Sequence, residues 1–93
     1  MESLKELVRK PETVIVDVRS PWEYEMDHIP GAKNIPLEEI SLKLDEFRTF
    51  NNPVVLYCQS GNRSGMAVNL LKQHGVAEVY NGGGLGEMQF LLN

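Results

Sequence analysis

The chain has 93 residues, enough for one small domain with a modest core. Its formal charge of −4, from 13 acids against 9 bases, argues against nucleic acid or an anionic membrane as partner, because both select a basic face. No stretch approaches the ~20 apolar residues of a membrane span. One cysteine, Cys58, excludes an internal disulfide, and with only His28 and His74 beside it a structural zinc site is not expected.

In chain order, "SLKE" at residues 3–6 reads as a capping box opening a short helix, with Ser3 as N-cap and Glu6 three residues on. "TVIVDV", residues 13–18, is a β-branched run suited to a strand covered on both faces. "SPWE", residues 20–23, starts a second helix: Ser20 caps, Pro21 is the first helical residue and Glu23 completes the box. Trp22 is expected to cover the core or the edge of a site. Pro30 and Gly31 mark a turn, which His28 would anchor, and "AKNI" a short strand. Leu37, Ile40, Leu44 and Phe47 recur at helical spacing, so "LEEISLKLDEF" reads as one amphipathic helix. "PVVLYC", residues 53–58, is a second buried strand. A helix starting near Ser64 follows, carrying Ala67, Leu70, Leu71 and His74 on one stripe up to Gly75. "AEVY" is a short strand, "NGGGLG" a loop and "EMQFLL" a last helical turn or two. Alternating strands and helices imply an α/β fold: a central parallel sheet flanked by helices on both faces. Residues 1–93 read as one domain. The opening "MESLKELVRK" lacks the apolar core of a secretory leader, and the expected location is the cytoplasm.

The loop "CQSGNRSG", residues 58–65, carries the chemistry. In open parallel sheets ligands sit outside the carboxyl ends of strands, where Cys58 falls. The loop can aim several N–H groups inward, the following helix adds unpaired N–H groups, and Arg63 adds a cation. These favour an anion, which can be the Cys58 thiolate itself. Four residues, Gln59, Ser60, Gly61 and Asn62, separate Cys58 from Arg63. Cysteine phosphatases have five, so the tighter cup here favours one extra sulfur over a phosphate. Neither "SGNRSG" nor "NGGGLG" has the spacing of a nucleotide-binding loop, and no cofactor is expected. Asp17 and Arg19 are expected to form a structural ion pair near the site.

Three motifs in order resemble the rhodanese family of sulfurtransferases: residues 14–37, "VIVDVRSPWEYEMDHIPGAKNIPL"; residues 54–75 around Cys58; and residues 79–88, "VYNGGGLGEM". The resemblance implies that Cys58 takes a sulfane sulfur from a small donor such as thiosulfate, forming a persulfide. A thiol, cyanide or protein acceptor would then remove it. Backbone N–H groups from Gln59 to Ser64 would stabilise the charge, and Arg63 would attract an anionic donor. A sulfur-carrier or sensing module is the alternative, and a cysteine phosphatase or arsenate reductase of related fold a more distant one. The chain departs from the family pattern at Asp27, where Gly is usual, at Leu85 and Met88, where aromatics are usual, and in having one basic residue in the loop. These departures bear on the donor rather than on the fold.

Overall fold

A computed structural model of the chain describes residues 2–93. The elements are α1 (Leu4–Arg9), β1 (Val14–Asp17), α2 (Pro21–Met26), β2 (Lys33–Asn34), a 3₁₀ helix (Leu37–Leu42), α3 (Leu44–Thr49), β3 (Val54–Cys58), α4 (Asn62–Gln73), β4 (Val79–Gly84) and α5 (Leu85–Leu92). The four strands form one parallel sheet in the order β2-β1-β3-β4. All five residues of β3 are buried. Their side chains alternate: Val54, Leu56 and Cys58 join a cluster with Ile40, Phe47, Ala67 and Leu71, while Val55 and Tyr57 join Leu7, Val8, Leu85 and Met88. The period of two therefore feeds two cores, one under α3 and α4 and the other under α1 and α5. Each fully buried Val or Leu contributes about 1.5–3 kcal/mol.

Two sequence expectations need correction. The helix expected over residues 37–47 is a 3₁₀ helix followed by α3, broken at Lys43 (φ −115°, ψ 17°). Leu37 and Ile40 are three apart, so they stack on one side of the tighter 3₁₀ turn, while Leu44 and Phe47 share a face of α3. Ile40 and Phe47 still end buried, and Leu42 falls outside the stripe and is exposed. The glycine-rich stretch expected as a loop is instead the second half of β4. Its register against β3 slips, with Leu56 opposite Asn81 and Tyr57 opposite Gly83, so Gly82 is the extra residue of a bulge. A Cβ at Gly82 would lie 2.6 Å from Met88 Sδ and 2.8 Å from Val55 Cγ1. Glycines here let α5 pack onto the sheet.

The sequence order of the strands reverses direction between β1 and β3. The crevice beyond their carboxyl ends is where such sheets bind ligands. Asp17 ends β1, Cys58 ends β3 and Gly84 ends β4, which brings the three segments of chemical interest to one edge of the molecule.

Candidate active site

Cys58 is completely buried at the floor of the loop. Gly61 N–H donates to its Sγ at 3.0 Å and Ser64 N–H at 3.5 Å; the Ser64 hydroxyl lies 3.4 Å away. Gly61, in the left-handed region at φ 97°, is the N-cap of α4, which begins at Asn62 rather than near Ser64. The turn thus folds the first N–H groups of the helix back over the sulfur. Burial pushes the thiol up. The Ser64 hydroxyl and the N–H groups of Ser64, Ser60 and Gly61 outweigh it and hold the thiol below its ordinary value.

Ser64 has one hydroxyl proton and two neighbours that can take it. Its Oγ is 2.7 Å from Asn81 Oδ1, a carbonyl-type oxygen that can only accept. With a neutral thiol, S–H donates to Ser64 Oγ and the hydroxyl donates to Asn81. When the thiol ionises, the hydroxyl turns to the sulfur, and Asn81 Oδ1 keeps the Gly83 N–H at 2.9 Å. The Asn81 amide also donates to the Gly61 carbonyl at 3.0 Å. Asn81 therefore ties the loop to β4 with both ends of its side chain. In the sequence its signal is an amide side chain, able to donate and accept at once, at the head of the glycine run. Ser64→Ala is expected to slow alkylation of Cys58 at neutral pH about fivefold to tenfold. That is the loss of roughly 1–1.5 kcal/mol of hydrogen bonding to the thiolate. Rate against pH with iodoacetamide reads it directly, and an unchanged profile would leave the backbone N–H groups as the whole cause.

The other expected site residues distribute as follows. Ser60 and Asn62 are exposed on the loop rim. Gln59 is also exposed, and its side-chain oxygen accepts from Arg19 Nη1 at 3.2 Å. Arg63 holds Glu23 with both terminal nitrogens, at 2.8 and 3.0 Å, a bidentate pair that engages its charge. The loop's own donors are the main cause that holds the thiol down, and Arg63 still couples to the sulfur through its charge. Glu23 also accepts from Ser20 N–H, the glutamate's half of a capping box, and from Ser20 Oγ–H. Arg63, then Ser20, hold its carboxyl down at about 2.

Asp17 and Arg19 form the expected ion pair, buried and 2.7 Å apart. Arg19 spans the crevice: Nε and Nη2 on Asp17, Nη1 on Gln59, Nη2 also on the Asp27 carbonyl at 2.5 Å. It positions the start of the loop against the end of β1. His28 anchors its turn through Nδ1, 2.6 Å from the Tyr24 carbonyl, and stacks on the Tyr24 ring. Trp22 is 65% exposed, so it lines the edge of the site and not the core. Among the described residues no group of three or more His, Cys, Asp or Glu could hold a metal ion, and no helix is long and apolar enough to cross a membrane.

A family model for the rhodanese-like domain matches residues 1–85. The chain belongs to the rhodanese family. Among curated rhodanese relatives, thiosulfate sulfurtransferase PspE of Escherichia coli (strain K12) is 38% identical over 74 residues, covering 78% of this chain and 71% of that protein. The putative sulfur carrier protein YrkF of Bacillus subtilis (strain 168) is 39% identical over 82 residues, 87% of this chain and 44% of its own length. The chain spans about half the length of other curated relatives that it matches. A solved structure described as a rhodanese with anions from E. coli superposes with TM-score 0.74 at 37% identity, over 81% of this chain and 89% of that one. Its rhodanese fold is the parallel sheet flanked by helices that the sequence pattern implied.

Proposed function

We propose that the domain is a sulfurtransferase that carries a sulfane sulfur on Cys58. The observation that carries this reading is the buried Sγ at the end of the central strand, ringed by hydrogen-bond donors. Such a ring lowers the cost of a thiolate and offers the same donors to a persulfide anion. In the first half-reaction the thiolate attacks the outer sulfur of a donor such as thiosulfate. The new S–S bond forms, the donor's S–S bond breaks and sulfite leaves with the electron pair. In the second, cyanide or a thiolate attacks that outer sulfur, thiocyanate or a new persulfide leaves, and the Cys58 thiolate returns. No further cofactor is needed for either balance. The electrostatic roles belong to the N–H groups of Ser60, Gly61 and Ser64, with Gln59, Asn62 and Arg63 at the rim. A reducing compartment such as the cytoplasm suits a free thiolate.

A carrier role, in which the sulfur is handed to a protein acceptor, is supported by the lone cysteine and by the putative-carrier name of one relative. Intact mass after incubation with thiosulfate and, separately, benzenethiosulfonate tests the shared step. The expected result is a gain of one sulfur atom that cyanide removes as thiocyanate. Loading followed by slow turnover would favour the carrier. No gain with either donor would overturn both readings and reopen the phosphatase.

A further inference from the structure

Both arginines beside the loop are already paired. Arg19 is fixed on Asp17, and Arg63 on Glu23. Glu23 is itself held by Ser20 N–H and Oγ–H, so four hydrogen bonds set its place. A recess of about 320 Å³ adjoins this pair, lined among others by Trp22, Glu23, Met26, Gln59 and Leu85. Trp22 and Met26 are 65% and 78% exposed, one helical turn apart on α2. Asp27 also lines it, and since Glu23 is matched by Arg63 and Arg19 by Asp17, the Asp27 carboxylate is the charge left over there. Gln59 belongs to both the recess and the Cys58 loop, so the recess adjoins the loop at its first residue after Cys58. A dianion has no unpaired cation to meet in this recess, whereas an apolar group has two exposed side chains to cover.

We propose that Glu23 sets donor specificity, engaging Arg63 so that doubly charged thiosulfate is disfavoured and singly charged organic thiosulfonates, their apolar body on Trp22 and Met26, are preferred. This rests on the sulfur-transfer reading and names the donor class for it. The step balances as before: the Cys58 thiolate attacks the outer sulfur of R–SO₂–S⁻, the new S–S bond forms, and the sulfinate R–SO₂⁻ leaves with the electrons of the broken bond. Glu23 is a positioning residue here, acting through Arg63.

The test measures kcat and KM for thiosulfate and for benzenethiosulfonate, with cyanide as acceptor. Glu23→Gln keeps an amide able to serve the capping box but removes the charge. It is expected to raise kcat/KM for thiosulfate about tenfold, mainly through KM, and to raise it less for the monoanion. The gain is expected to vanish in Glu23→Gln/Arg63→Ala. Trp22→Ala, at an exposed position, is expected to shrink the preference for benzenethiosulfonate over thiosulfate at least threefold. It serves even if Glu23→Gln fails to fold. An unchanged thiosulfate KM in folded Glu23→Gln, an equal gain for both donors, a gain that persists without Arg63, or an unaltered donor ratio in Trp22→Ala each overturns the proposal. Failure of the parent reading looks different: Cys58 then takes up no sulfur from either donor.

Discussion

Cys58→Ser is expected to reduce cyanide-dependent thiocyanate formation to the uncatalysed background while the domain stays folded. The serine hydroxyl fills nearly the same space on the face of β3 that packs with Leu56 and Ala67. It can accept the Gly61 N–H that now reaches Sγ. Its cost to stability is about 1 kcal/mol, the order of one exchanged buried polar contact. Its cost to chemistry is complete, because an alcohol is not ionised at neutral pH and cannot hold a sulfane sulfur. Thermal unfolding followed by circular dichroism separates the two effects. Thiocyanate formation at the wild-type rate would remove Cys58 from the mechanism.

Gly84→Ala is expected to damage both the fold and the site. The backbone there is ordinary extended chain, φ −93° and ψ 170°, so conformation is no obstacle. Space is the obstacle: a Cβ would stand 2.3 Å from the Gln59 carbonyl oxygen and 3.0 Å from its carbon. Both are main-chain atoms that cannot swing aside. To admit the methyl group, the end of β4 and the start of the Cys58 loop must separate. That strains the Arg19–Gln59 contact. We expect a loss of about 2–4 kcal/mol, at or above the usual range for overpacking, and at least a tenfold loss of transfer in what remains folded. Gly86→Ala two residues on is the contrast. Nothing lies within 4 Å of its Cβ, and it sits inside α5. There the substitution is expected to stabilise by about 0.5–1 kcal/mol. Paired melting curves check both, and equal curves for Gly84→Ala and wild type would mean that the loop yields freely.

The parts of this molecule governed by near neighbours were legible in its sequence. β1 stood out as a β-branched run and β3 as a buried apolar run, and the spacing of Ser3 to Glu6 and of Ser20 to Glu23 marked two helix starts where each glutamate caps its serine's N–H. Cys58 was placed by the strand-then-loop pattern. What stayed hidden depends on long-range contact. Glu23 had a sufficient local explanation as a helix cap, and nothing in the sequence ties it to a partner 40 residues away. Arg63 accordingly read as an unpaired cation. The glycines of β4 looked like loop because glycine disfavours strands. What excludes side chains there is long-range contact: Met88 and Val55 at Gly82 and the Gln59 main chain at Gly84. The 3₁₀ turn escaped because its apolar spacing fits an α-helix equally well.

The hydroxyl of Ser64 has a consequence for how this site receives charge. Between Cys58 and Asn81 the only thing that must change on ionisation is the direction of one O–H bond. The neighbouring N–H groups already point at the sulfur, and Asn81 keeps a second donor whichever way the proton lies. Water would have to rearrange many dipoles to do the same. Here the rearrangement was completed when the chain folded, and the remaining reorganisation is a single rotation. Heavy-atom positions over residues 58–65 should therefore coincide between the thiol and thiolate forms, and ionisation need not wait on backbone motion.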